Sequence, residues 1–336
     1  MISDKIRFAV MGCGHIGMRH AAFITANEEC ELVGLCDTRP AKELGLEKTG
    51  APFFQREDDL LGLDFDVLSV ATPNGLHEHH AIKALSSGHH VLIEKPMALS
   101  GKSCANIILE AQKQGRHVFC VMQNRYSAPS VWLKDLLEKN KLGEIFLVTI
   151  HCFWNRDERY YREGSWKGTR DLDGGTLFTQ FSHFIDSLLW LFGDIEGIES
   201  RFRNFSHSTN TEFEDSGIVS FNFKKGGMGC FNFTTAVRQE NLESSLTIIA
   251  EKGTVKISGQ YMDEVQICNI EEYTMPILPK TLYMSGGNSH KGPAANHAYV
   301  FRNVVNVLKR GKLSEIDPRE ACKVVETIEK IYKTVL

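Results

Sequence analysis

The stretch IRFAVMGCGHIGMRH, residues 6–20, constrains this chain more than any other. A short apolar run meets Gly12, Gly14 and Gly17 in a Gly-x-Gly-x-x-Gly spacing and passes at once into helical periodicity. A strand that feeds a helix through such a loop is the opening βα unit of a mostly parallel, doubly wound sheet. Each glycine has a separate duty. Gly12 permits the tight turn, Gly14 lets backbone approach a pyrophosphate, and Gly17 lets helix and strand pack closely. His15 and Ile16 open the helix. Free N–H groups and the positive end of the helix dipole meet phosphates there. Asp37 ends the next apolar run, twenty residues beyond Gly17. A carboxylate at that place accepts from a ribose 2′-hydroxyl and repels a 2′-phosphate, which favours NAD over NADP. Arg39 pulls the other way, since a nearby arginine can accommodate that phosphate or stack on adenine.

The same rhythm continues to residue 123. Apolar runs at 31–37, 65–72, 89–94 and 117–123 alternate with helical stretches, the pattern of a parallel sheet covered on both faces. After residue 124 the style changes. A helix near 127–140 leads to a long strand, EIFLVTIHCFW, then to a charged, aromatic loop and one apolar helix over 176–192. Two alternating stretches turn at Gly226-Gly227 and at Lys252-Gly253, as hairpins of an antiparallel sheet do. Helical segments at 294–310 and 317–334 end the chain. The expected fold is α/β: a Rossmann domain over 1–123, then an α+β domain over 124–336 with a large, open, mainly antiparallel sheet. The C-terminal helix is free to pack back on the first domain.

Composition removes several function classes. A net charge of −4 gives no field for nucleic acid or an acidic membrane. No apolar run is long enough to span a bilayer, and the N-terminus reads as a strand rather than a signal peptide. Nine cysteines are scattered with no Cys-x-x-Cys pair, which fits a reducing cytoplasm.

Ligands of doubly wound sheets lie outside the carboxyl ends of the strands. Thr72, Pro73 and Asn74 follow one such end, with His77 at the next helix start, and Glu94, Lys95 and Pro96 follow another. A lysine there can bond a substrate hydroxyl and share in its deprotonation, helped by burial or a neighbouring charge that lowers its pKa. Pro96 limits the freedom of the backbone carrying it. A metal reading of HEHH at 77–80 lacks the His-Glu-x-x-His spacing and any evident carboxylate partner, so no metal is expected.

GCGHIG, ATPNGLHEHHAIKALSSGHHVLIEKPMALS and GGTLFTQFSHFIDSLLWLFG together resemble the Gfo/Idh/MocA oxidoreductases over nearly the whole chain. The resemblance makes Lys95 the catalytic lysine. It sets Glu94, Lys95 and Gln123 toward the cofactor, and it makes His183-x-x-Asp186 the element that reaches the nicotinamide. Which of Lys95 and His183 is the base stays open. Inositol dehydrogenases of the family carry an aspartate four residues before this histidine, where this chain has Thr179, one helical turn from His183 and beside Gln180. The departure is similar to the branch acting on UDP-sugars.

The loop at 152–183 sets Arg156, Arg159, Arg162, Lys167 and Arg170 among Trp154, Tyr160, Tyr161 and Trp166. Arginines clamp carboxylates and phosphates, and aromatic faces take a sugar or base. Its wording resembles UDP-N-acetylglucosaminuronate 3-dehydrogenases. That resemblance implies NAD-dependent oxidation of the 3-hydroxyl of a UDP-N-acetylhexosamine or its uronate, for bacterial surface polysaccharide. The sugar nucleotide would meet Lys95, Arg125, Asn155, Arg156, Arg159, Tyr160, Trp166, Thr179, Gln180 and His183. Its phosphates would meet Asn296, His297 and His290. The resemblance further implies 2-oxoglutarate as a possible hydride acceptor and a homodimer or homotetramer. Rival readings are an inositol or free-aldose dehydrogenase of the same family and a non-catalytic NAD-binding sensor.

Overall fold

The computed structural model describes residues 5–46, 49–259, 262–280 and 296–335. The chain forms two compact units, Met1–Met122 with His297–Val325, and Gln123–Asn296 with Glu326–Leu336.

In the first unit, strands β1 (Ile6–Met11), β2 (Cys30–Cys36), β3 (Phe53–Phe54), β4 (Val67–Val70), β5 (His90–Ile93) and β6 (Val118–Cys120) form a sheet in the order β3-β2-β1-β4-β5-β6. Every pairing is parallel. Helices α1 (His15–Ala26), α2 (Ala41–Leu44), α3 (Glu57–Leu61), α4 (His77–Ser86) and α5 (Gly101–Gln114) make the crossovers. Val67, Leu68, Val70, Val91, Leu92 and Ile93 are fully buried, as strands covered on both faces must be. The order reverses between β1 and β4, and the loops leaving these two strands border the crevice where doubly wound sheets bind ligands. The short β3, α2 and α3 had no sequence signal.

The division differs from the sequence expectation in one segment. His297–Val325 belongs with the first unit. Helix α9 (His297–Arg310) has a strong apolar stripe, with Val300, Phe301, Val304 and Val305 buried. Phe301 stands edge-on to Phe8 of β1 at 5.7 Å and to His20 of α1 at 5.4 Å. The stripe closes the core of the first unit, so its burial outweighs proximity in sequence to the second.

The second unit holds α6 (Ala128–Glu138), β7 (Ile145–Phe153), α7 (Thr176–Thr179), α8 (Ser182–Phe192) and β8 to β13. These strands are Ile195–Arg203, Ser216–Phe223, Met228–Thr234, Glu243–Ala250, Gly253–Ser258 and Glu264–Ile270. The sheet order is β13-β12-β11-β7-β10-β9-β8, antiparallel except for the parallel pair of β7 and β10. The final helix, α10, spans Pro318–Lys333. Gly226 and Gly227 turn the β9–β10 hairpin at φ 100° and 82°. A Cβ at Gly227 would sit 2.2 Å from the Ile145 carbonyl oxygen, so the turn requires glycine.

The apolar helix expected over 176–192 is two helices. Phe181 leaves helical geometry at φ −115°, ψ 5°, and its N–H reaches the Thr176 carbonyl five residues back. Its ring is fully buried against Trp154, Phe231 and Phe233. Burying that ring offsets the lost regularity. Thr179 and His183 therefore lie on different helices, not one turn apart on a single one.

Candidate active site

The first unit presents a built dinucleotide cradle. A Cβ at Gly12 would meet the Ala71 carbonyl oxygen at 2.5 Å, and one at Gly17 the Gly12 oxygen at 1.7 Å, whereas Gly14 faces open space. Helix α1 has no side-chain cap and no acid in its first turn, which leaves its N–H groups for phosphate oxygens. The exposed His15 lies 2.7 Å from Arg19, and Ile16 is half-buried. Asp37 Oδ2 accepts from the Cys13 N–H at 2.9 Å, while Arg39 folds onto the same carboxylate through Nε and Nη2 at 2.9 Å. Burial would raise the Asp37 carboxyl, but the Arg39 hydrogen bonds outweigh it and hold the group below its usual range. These features fit NAD: free helix N–H groups and an open glycine for the pyrophosphate, and a fixed carboxylate for the ribose.

The loops after β4 and β5 are tied together by His77. Its ring is fully buried, with Nδ1 2.8 Å from the Pro96 oxygen and Nε2 3.0 Å from the Thr72 oxygen. Burial lowers its pKa. Both ring nitrogens are spent on backbone carbonyls. His77 therefore sets the two loops, and Asn74 beside it is buried.

Lys95 follows β5, half-buried, its backbone N–H donating to Glu94 Oε2 at 3.2 Å, and the Lys95–Pro96 peptide is cis. Glu94 turns inward. Its Oε1 lies 2.9 Å from His20 Nε2 and 3.7 Å from His297 Nε2, and His20 Nδ1 lies 2.7 Å from Ser69 Oγ. Burial would raise the Glu94 carboxyl, but bonds to His20 and His297 hold it well below the usual range. Glu94, next to Lys95 in the chain, is thus a buried carboxylate held by two histidines. His297 was expected at a phosphate, yet its ring is 3% exposed and stacks on Phe23 at 5.8 Å. As the first residue of α9 it follows that helix into the core. Asn296 is also buried, and His290 lies outside the described residues.

HEHH also needs a correction. The carboxylate it lacked comes from Glu57 of α3, 3.1 Å from His79 Nε2 and 3.5 Å from His80 Nε2. Lys83 holds the same carboxylate at 2.6 Å, so the group is a salt-bridge network around α4.

In the second unit, Gln123 Nε2 lies 3.0 Å from His183 Nε2, and His183 is 7% exposed. Arg125, expected to bind substrate, is committed elsewhere. Its Nε and Nη2 fork onto the fully buried Asp186 at 3.0 and 2.6 Å, and its guanidinium lies over Trp190. The pair holds α8, and with it His183. Asn155 is structural as well, its amide donating to the Val237 oxygen.

Arg156 is held on several sides. Nε donates to Gln180 Oε1 at 2.8 Å and Nη1 to the Asn155 oxygen at 2.6 Å. The guanidinium carbon lies 4.8 Å from the Trp154 ring and 5.2 Å from the Tyr160 ring. Gln180 Nε2 donates to the Tyr160 hydroxyl at 2.6 Å. Trp166 is half-buried. Arg159 points to solvent, 84% exposed and paired with Asp157. Asp173, an acid of the same loop, is 1% exposed. It accepts from the Gly168 N–H at 2.8 Å and from the Thr179 hydroxyl. Thr179 thus anchors a buried carboxylate supplied from six residues back. The signal was available in the Asp-Gly-Gly run before the helix.

Comparison with known proteins places this architecture. The profile described as "Oxidoreductase family, NAD-binding Rossmann fold" matches residues 6–122, and the GFO/IDH/MocA C-terminal domain matches 131–256. The chain belongs to the Gfo/Idh/MocA family. It is an NAD-dependent oxidoreductase. Among solved structures it is similar to the WlbA dehydrogenase of Bordetella pertussis in complex with NADH and UDP-GlcNAcA: TM-score 0.87, 32% identity, covering 98% of this chain and 96% of that one. The WlbA dehydrogenase of Chromobacterium violaceum, with the same ligands, has TM-score 0.87 and 31% identity over 99% and 94%. Among curated relatives, the D-glucoside 3-dehydrogenase of Escherichia coli is 27% identical over 57% of this chain, and the match spans 56% of that protein.

Proposed function

We propose that this enzyme oxidises the 3-hydroxyl of a UDP-N-acetylhexosamine or its uronate to the 3-keto sugar nucleotide, in the cytoplasm of a cell that builds such sugars into surface polysaccharide. The observation that carries the reading is the likeness, over nearly the whole chain, to dehydrogenases solved with NADH and UDP-GlcNAcA. Nine cysteines, none in a disulfide, are consistent with a reducing compartment, and no described helix is long and apolar enough to cross a membrane.

Bound NAD supplies the hydride acceptor. The glycine loop and Asp37 would hold its pyrophosphate and ribose, and the loop of Thr72, Pro73 and Asn74 would border its nicotinamide end. Lys95 or His183 takes the proton of the 3-hydroxyl. Glu94, next to Lys95 in the chain, already has hydrogen-bond partners in His20 and His297. Gln123 orients the His183 ring, and the Arg125–Asp186 pair fixes its helix. Arg156, Tyr160 and Gln180 form the sugar-facing polar cluster. The active form is a homodimer or homotetramer, and 2-oxoglutarate is a candidate oxidant for the reduced cofactor.

The test mixes protein and NAD with UDP-N-acetylglucosamine or its glucuronate, with and without 2-oxoglutarate, and follows the sugar nucleotide by mass spectrometry. Loss of two hydrogens is expected. No product from either sugar, with NAD still bound, overturns the assignment and moves the search to inositols and free aldoses.

A further inference from the structure

The loop between β7 and α7 carries five cations, and they differ sharply in what they meet. Arg159 is solvated and paired, and Arg162 and Arg170 are exposed. Arg156 and Lys167 are half-buried. Lys167 Nζ lies 3.8 Å from the centre of the Tyr160 ring, the same ring that carries the Arg156 guanidinium. Among the described residues, neither cation has a carboxylate within ion-pair distance. The nearest acid, Asp173, already accepts from the Gly168 N–H and the Thr179 hydroxyl and is sealed from solvent. The Lys167 ammonium is pushed below its usual pKa, first by burial and then by the Arg156 charge. Proteins rarely leave two neighbouring cations half-desolvated without an anion. Arg156 bonds Gln180, Asn155 and Asn241 through Nε and Nη1, and its guanidinium also meets the Tyr160 hydroxyl.

We propose that Lys167 and Arg156, set on the Tyr160 ring, form a carboxylate clamp that selects a uronate over the neutral hexosamine. The proposal rests on the sugar-nucleotide reading above and narrows it to an acidic sugar. The Arg156 fork gives the carboxylate direction, and the Lys167 ammonium adds charge from beside it. The aromatic ring between them keeps water from screening the contact.

Lys167→Met keeps length and removes charge. Lys224→Met, on the exposed β9–β10 turn, is the matched control. With NADH present, calorimetry compares UDP-N-acetylglucosaminuronate, UDP-N-acetylglucosamine and UDP. The wild type and control should prefer the uronate by about tenfold or more, as for a charge-assisted contact. In Lys167→Met that preference should fall to about threefold or less, with UDP affinity unchanged. An equal loss for UDP would put the cations on the pyrophosphate, and an unchanged preference would remove Lys167 from recognition; either overturns the clamp. Should the wild type bind neither sugar nucleotide, the functional reading fails, and free glucuronate against glucose tests the clamp alone. Glucuronate binding that Lys167→Met abolishes would sustain it, and no glucuronate binding would overturn it.

Discussion

The chain treats charge in opposite ways in its two units. At the end of β5, Glu94 is sealed between His20 and His297, so the carboxylate has its partners before any ligand arrives. Around Tyr160, Arg156 and Lys167 are lined up on one ring with no acid at ion-pair distance among the described residues. The first arrangement suits a scaffold that must hold one shape whether or not the site is occupied. The second leaves an electrostatic need that only a ligand meets. A buried ion is worth most to stability where its partner is built in, and most to recognition where it is withheld.

Substitutions can break this contrast, beginning with the largest effect. Arg125→Met strands the fully buried Asp186 and should cost about 3–5 kcal/mol, read as a lower urea midpoint. An unchanged midpoint would mean that the pair is not a structural clamp. Glu214 offers the reverse case. Burial raises its carboxyl to about 7, and its close partner is the Tyr332 hydroxyl at 2.6 Å. The folded state therefore binds the extra proton, and stability falls as pH rises from the unfolded carboxyl value to about 7. Glu214→Gln should flatten that slope and gain up to about 3 kcal/mol above neutrality, with little gain in acid. Glu94→Gln should cost about 2 kcal/mol near neutrality. Because the Glu94 pKa is depressed in the fold, its contribution is present above the unfolded carboxyl value and lost as pH falls through the folded one. The gap between wild type and variant should then close only in acid. Smallest of all, Lys167→Met should change stability by no more than about 1 kcal/mol, and in the favourable direction, because it removes an unpaired, half-desolvated charge. A clear loss of thermal stability would show that the fold already uses that cation.

What the sequence made legible was local. The glycine loop, the parallel run of apolar strands and both hairpins follow from periodicity and turn chemistry within short windows. The break at Phe181 was not legible, because its cause is a ring seated against Phe231 and Phe233 on a distant strand. The same holds for the partners of the site. His20 and Glu94 are 74 residues apart, and Arg125 and Asp186 are 61 apart. Family resemblance supplied Lys95 and His183, but the commitments of Arg125, His77 and His297 are tertiary facts. Composition could describe the 152–183 loop as rich in cations, and only packing separates the two that lack an acid from those that are solvated or paired.

One feature of the second sheet bears on how the protein is made. Strand β7 lies at its centre, hydrogen-bonded to β10 on one side and β11 on the other. Both partners are synthesised later, after α7, α8, β8 and β9. The parallel β7–β10 pair excludes a simple hairpin, so a long loop must close before either edge is satisfied. During synthesis, Ile145–Phe153 waits with both edges open until the ribosome has passed Thr234, and with one edge open until it has passed Ala250. That interval is the nascent chain's most exposed moment, when an edge-seeking strand is open to a neighbouring copy or to a chaperone. The first unit waits longer still for α9, the helix that closes its core, which is made after every strand of the second sheet.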